Sequence, residues 1–344
     1  MRKSAKFLAG LIVAVFFLWL VLRNIEIQEV LLYMQGISYW WLIPYTVVAV
    51  LSHYLRSERW RLLVKRENIS HQRDTLFAGV MIGYLVNYAI PRLGEVSRSV
   101  YVAKKTDMST SDVIGTVVLE RVIDLACMLL MVTIVFFYII TDLATMERVF
   151  GSETVSFLAW LGEWQQITAI LVVFAAGGLL LFLLYLAINS WRKKSDMGRA
   201  VARRIKATVK NFIYGLTAIF RMNNWPWFIL TTFLIWFGYA LMAYIPFTAF
   251  GITSEYGLGF THAWVVMIIS AIGVALPSPG GVGTYHWFVT QTLVVLYSVP
   301  LTVSIAYAFV THAVMMILVI VVTPIIVLCN SGGKFNFGFL NRSL

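Results

Sequence analysis

The chain has 344 residues, of which 60% are hydrophobic and only 12% charged, and it carries a net charge of +11. Soluble globular domains hold about a quarter charged residues, so this composition excludes that class and points to a polytopic membrane protein. The apolar runs reach the roughly 20 residues of a spanning helix rather than the roughly 10-residue alternating strands of a barrel. The expected fold class is therefore all-α, with one integral membrane domain filling residues 1–344.

Taken in chain order, Arg2, Lys3 and Lys6 precede an apolar stretch from Phe7 to Leu22. No small-x-small cleavage pattern follows it and further spans come after, which predicts a retained anchor rather than a removed signal. Full transmembrane helices are expected at about 5–23, 41–56, 111–140, 166–190, 226–250 and 302–328. Between the second and third, the apolar segment Leu76 to Ile90 stops at Pro91, and Glu95, Arg98, Lys104, Lys105 and Asp107 follow. That charge density is too high for a lipid-facing crossing and predicts a re-entrant helical hairpin. Between the fifth and sixth, Ala263 to Leu276 runs into Pro277-Ser278-Pro279-Gly280-Gly281, and Tyr285 to Tyr297 returns as a second hairpin arm. Eight transmembrane helices, two of them short and tilted, form the alternative. Residues about 192–222 read as a basic amphipathic cytoplasmic segment suited to the inner leaflet. Cys127 and Cys329 show neither a disulfide framework nor a metal-ligand spacing and are expected to be small core residues. No metal and no cofactor is expected.

Basic residues cluster in alternate loops. They lie at the N-terminus, at Arg56, Arg59, Arg61, Lys65, Arg66 and Arg73, from Arg192 to Lys210, and at Lys334 and Arg342. The intervening loops hold Glu26 and Glu29, then Asp142, Glu147, Glu153 and Glu163 against Arg148, then Glu255. Under the positive-inside rule this predicts six crossings in the cell membrane with both termini cytoplasmic. The half-chains at about 41–140 and 226–328 then run in opposite senses, an inverted repeat.

Each half also carries the same short sentence. Pro91-Arg92-Leu93-Gly94-Glu95-Val96 and Pro277-Ser278-Pro279-Gly280-Gly281-Val282 both read Pro-x-x-Gly-x-Val. Paired interruptions at matching places are the best sequence pointer to a transporter's binding centre, and open backbone at membrane depth must be buried in protein or line a wet cavity. Pro91, Pro277 and Pro279 supply the helix breaks. Gly94, Gly280, Gly281 and Gly283 permit close approach or positive φ, beside helix N-termini that suit an anion. Plain kinking of membrane helices is the structural alternative.

Ionisable residues inside the apolar segments suggest roles. Glu120, Arg121 and Asp124 fall within an arc of roughly 100° on one helix, where they would form either an internal ion pair or part of a substrate path. Arg92, Arg98 and Arg121 are candidate ligands of an anionic headgroup, because a guanidinium matches phosphate oxygens bidentately. Glu95, Glu120 and Asp124 are candidates for charge balance or proton coupling. In the second half, His286 and His312 read either as neutral hydrogen-bonded core residues or as proton-coupling groups. No catalytic residue is assigned, since no metal-ligand cluster, P-loop or nucleophile elbow is present.

Pro91-Arg92-Leu93-Gly94-Glu95-Val96-Ser97-Arg98, then Glu120-Arg121-Val122-Ile123-Asp124, then Pro279-Gly280-Gly281-Val282-Gly283 resemble the lysylphosphatidylglycerol synthase transmembrane-region family over nearly the whole chain. In its aminoacylating relatives this region resembles the lipid-translocating half, and a soluble domain performs the aminoacyl transfer. The chain ends at Leu344 without such a domain, so the resemblance implies a flippase-like protein rather than an aminoacyltransferase. Where the family commonly has a Glu after the Gly-rich turn this chain has His286, and where an Arg is common in the last span it has His312. These departures imply a subfamily with its own lipid or coupling ion. The leading expectation is a translocase for an anionic phospholipid or polyprenyl-linked lipid, with no nucleic-acid partner. A membrane enzyme using Glu95 and His286 as acid and base, and a non-transporting scaffold, are the rivals.

Overall fold

The computed structural model describes residues 2–23, 26–64, 73–106, 108, 110–140, 224–276 and 278–330, with side chains described from residue 11 of the first helix and as far as residue 135 of the sixth. The chain divides into two compact units, Met1–Val135 with Met222–Leu344, and Phe136–Arg221. The expected span at 166–190, the amphipathic segment at 192–222 and Pro277 lie outside the described residues.

Among the described residues the secondary structure is entirely helical. The helices are α1 (Arg2–Leu22), α2 (Ile27–Gln35), α3 (Leu42–Leu63), α4 (Arg73–Ala89), α5 (Leu93–Thr106), α6 (Thr110–Ile140), α7 (Trp225–Ala249), α8 (Ile252–Tyr256), α9 (Phe260–Ala275), α10 (Thr284–Gln291) and α11 (Leu301–Asn330). A 3₁₀ turn at Tyr39–Trp41 leads into α3, another at Pro279–Gly281 precedes α10, and a π turn at Thr292–Leu296 follows it. α7 and α11 are each long and apolar enough to cross a membrane, and α1 with α2 qualifies as a pair bent by 83°. Sequence chemistry sets several ends. Asn224 accepts the Trp227 amide at 3.4 Å as an N-cap, with proline in the first turn of α7. Pro91, which has no N–H to donate, stops α4.

α3 lies against α7 and α4, α4 against α5 and α11, and α10 against α9, α1 and α11. The two half-chains therefore share one core. Thr323 on α11 donates to the Met81 carbonyl of α4 at 3.4 Å, and Asn330 donates to Tyr101 on α5 at 2.8 Å. Small residues set the closest approaches. A Cβ on Gly94 would stand 2.0 Å from the Gly83 carbonyl oxygen, so α4 and α5 touch backbone to backbone there.

Two expectations are corrected. α3 continues to Leu63, so Arg56 and Arg59 belong to a helix and not to a basic loop. Both are buried, and their charge is met by carboxylates from α6, which lets the helix carry them inside. Cys329 is exposed and Cys127 only half-buried. Cys329 lies in the last turn of α11, where Asn330 bonds Tyr101 of α5 while Cys329 itself stays exposed, so an apolar run did not place it in the core.

Candidate functional site

Seven ionisable side chains from α3, α5 and α6 form one network. Arg56 Nε donates to Glu120 Oε1 at 2.7 Å, and its other nitrogens reach Asp124, Tyr84 and Tyr239, each tyrosine at 3.1 Å. Arg59 pairs with Asp124 and lies 3.8 Å from Glu120. Arg98 Nη2 is 2.9 Å from Glu120 Oε2, and its guanidinium sits 4.8 Å from the centre of the Trp60 ring, a cation–π contact. At the outer edge Arg121 pairs with Glu95 at 2.9 Å and approaches Asp124 at 3.9 Å.

Helical spacing explains the convergence. Arg56 and Arg59 are three apart on α3, Glu120 and Asp124 four apart on α6, and each pair presents one face. Charges this deep in an apolar bundle persist only when paired, yet the pairing is incomplete. Four guanidiniums meet three carboxylates, and Arg59 Nε, Arg59 Nη1 and Arg98 Nε are buried without an acceptor among the described residues. A polar cavity of about 10 Å³ is lined by Arg56, Tyr84, Asn87, Glu95, Arg98 and Arg121. An apolar cleft of about 250 Å³ lies between α5 and α6, and its lining includes Val96, Ile114, Val118 and Leu125.

The first broken segment borders this network. Arg92 is exposed and takes φ +65° in the turn between α4 and α5. Gly94 is helical, and its amide donates to Asn87 Oδ1 at 2.8 Å. Of the residues expected to meet a headgroup, Arg98 is 2% exposed and already ion-paired, whereas the Arg121 side chain is 43% exposed.

The second broken segment is built differently. Gly280, Gly281 and Gly283 all have positive φ, and α10 starts only at Thr284. The Gly283 amide donates to His286 Nδ1 at 3.1 Å, the reciprocal half of a capping box in which N3 is usually Glu or Gln. The same bond recurs on α9, where the Gly259 amide donates to His262 Nδ1 at 3.0 Å. An imidazole nitrogen that accepts is unprotonated, so the proton of His286 sits on Nε2. The His286 and His312 rings stack 4.8 Å apart and 6° from parallel. Tyr285 stands edge-on to His312 and shares a 3.0 Å hydrogen bond with Thr311.

The two breaks meet each other. A Cβ on Gly280 would lie 2.4 Å from Tyr88 Cδ1, near the end of α4, and the His312 ring lies 6.4 Å from the Tyr88 ring. Glu95 and His286 make no contact with each other among the described residues; Glu95 is held by Arg121, and His286 by Gly283, Phe309 and His312. Sequence reasoning missed Arg56, Arg59, Trp60, Tyr84 and Tyr239. The legible signal was the i,i+3 arginine pair continuing the apolar face of α3, matched by the i,i+4 carboxylate pair of α6. His53 was also unassigned: it is buried against Tyr84, ring centres 4.4 Å apart, with neither nitrogen partnered among the described residues.

Paired helix breaks meeting beside a buried ionic network, in an all-helical apolar chain, define an integral membrane protein with a polar interior. Residues 7–323 match the lysylphosphatidylglycerol synthase TM region, and the chain belongs to that family. It is 25% identical over 231 residues to the UPF0104 membrane protein MJ1078 of Methanocaldococcus jannaschii, covering 66% of this chain and 88% of that protein. It is 23% identical over 175 residues to UPF0104 membrane protein MJ1595 of the same organism, half of each chain. No solved structure gives a significant match.

Proposed function

We propose that this protein is a lipid translocase that moves an anionic phospholipid or a lipid-linked anionic headgroup between the leaflets of the cell membrane. In this reading α4–α5 and α9–α10 are re-entrant hairpins that enter from opposite faces, and the segments 41–140 and 226–328 are inverted copies. Both termini are cytoplasmic, on the side marked by the basic loops. The observation that carries the reading is the meeting of the two broken segments, Gly280 against Tyr88, next to the Arg56–Glu120–Asp124–Arg98 network. Two further observations support it. α3 and α7, the first helices of the two halves, pack on one another with Gly238 against Ser52, as equivalent elements do around a pseudo-two-fold axis. The network also holds more buried donors than acceptors, the environment an anion seeks.

Purified protein reconstituted into liposomes tests the reading directly. Exchange of fluorescent phosphatidylglycerol between leaflets is expected, measured as the fraction of label reached by an external quencher. Chemical alteration of the headgroup without leaflet exchange would replace the translocase with an enzyme.

A further inference from the structure

Glu95 and Arg121 hold a position that no other described residues share: both line the apolar cleft between α5 and α6, and both line the small polar cavity in front of Arg56 and Arg98. Their ion pair, at 2.9 Å, is thus the wall between the two spaces. It is also the most exposed pair of the network, with side-chain exposures of 43% for Arg121 and 27% for Glu95, against 6% or less for Arg56, Arg59, Arg98 and Glu120.

We infer that the Glu95–Arg121 pair is a latch, and that the lipid it admits is a phosphodiester carrying a single negative charge. The inference rests on the translocase reading and concerns what that site selects. Charge complementarity identifies the occupant. Arg56, Arg59, Arg98 and Arg121 against Glu95, Glu120 and Asp124 leave the described network one positive charge in excess. One phosphodiester neutralises that excess, a zwitterionic headgroup leaves it, and a phosphomonoester with close to two charges overshoots it. The buried Arg98 Nε lacks an acceptor and belongs to the lining of the polar cavity, so a donor is already in place for a phosphate oxygen.

Size assigns the two spaces. The polar cavity, at about 10 Å³, is no larger than one water site, so a phosphate oxygen enters only as the Glu95 carboxylate swings off Arg121. The cleft, at about 250 Å³, is below the roughly 300–1,000 Å³ of pockets that enclose whole ligands. It takes part of one acyl chain, against Val118 and Leu125. The phosphate replaces Glu95 as the partner of Arg121, with no bond made or broken.

The test measures binding and transport separately on the full chain in vesicles and nanodiscs. The probes are phosphatidylglycerol with one charge, phosphatidylcholine with none net, and phosphatidic acid with close to two. Native mass spectrometry is expected to show phosphatidylglycerol bound about tenfold or more tightly than phosphatidylcholine, a free-energy difference of about 1.4 kcal/mol. Glu95→Gln raises the excess to two charges and is expected to shift preference toward phosphatidic acid by a similar factor. Val118→Trp, a change at an exposed cleft position, is expected to weaken all three lipids alike. Exchange of all three lipids at equal rates and affinities would overturn the inference while leaving the translocase reading intact. Selective binding without leaflet exchange would overturn the translocase reading and keep the charge selection. An unchanged lipid preference in folded Glu95→Gln would remove the latch.

Discussion

The two broken segments spell the same motif and are held by opposite kinds of chemistry. In the first, charge does the holding: Glu95 meets Arg121, Arg98 meets Glu120, and the turn itself is the exposed Arg92. In the second, glycines with positive φ form the turn, and stacked rings, hydroxyls and a histidine cap hold it. α1 covers the second segment as well, with the Ala14 carbonyl so near Gly283 that a Cβ there would stand 2.3 Å away. The shared letters therefore specify an interruption and leave its chemistry open. Gly94 serves close approach to Gly83 inside a helix, whereas Gly280 serves a left-handed turn.

The largest expected effect lies in the charged region. Glu120→Gln leaves Arg98, Arg56 and Arg59 with one fewer buried carboxylate and is expected to cost about 3–5 kcal/mol, seen as a large drop in the thermal unfolding midpoint in detergent. An equal loss from His286→Phe would erase the contrast between the two regions.

Next comes Gly94→Ala, which forces α4 and α5 apart and is expected to cost about 1–3 kcal/mol as overpacking. Gly280→Ala meets a side chain instead of backbone, so a large part of its cost should vanish in the double variant with Tyr88→Ala. The residue that remains is a positive-φ penalty of about 1–2 kcal/mol. If the double variant were no more stable than Gly280→Ala alone, the Tyr88 contact would not be what joins the two segments.

His286→Phe removes the cap acceptor of α10 and is expected to cost about 1 kcal/mol, while His286→Gln, which restores the usual capping-box residue at N3, is expected to lose less. The smallest effect has the opposite sign. Arg92→Gly relieves a non-glycine left-handed conformation and is expected to stabilise the fold by at most about 1 kcal/mol. The same variant should slow leaflet exchange of phosphatidylglycerol if Arg92 receives the headgroup, so stability and transport would move in opposite directions.

Much of this was legible before the structure. Pro91 marked a helix end because proline cannot donate to the preceding turn, and the i,i+4 spacing of Glu120 and Asp124 fixed a shared face. Arg56 and Arg59 were misread because a hydropathy reading ends a span at its first charge. It has no term for a carboxylate arriving from another helix. His286 read as a proton carrier or a core residue, and its capping bond to Gly283 depended on where α10 begins, a boundary that the three glycines of the turn displaced to Thr284.

Composition and periodicity by themselves determined an all-helical membrane protein interrupted twice by Pro-x-x-Gly-x-Val, because the hydrocarbon's demand for closed backbone hydrogen bonds is written directly into residue order. Tertiary structure alone decided which charges neutralise which. Arg56 finds Glu120 and Asp124, and Tyr88 finds Gly280, across long stretches of chain. Those pairings depend on which helix faces meet in three dimensions, a choice that local propensity does not encode.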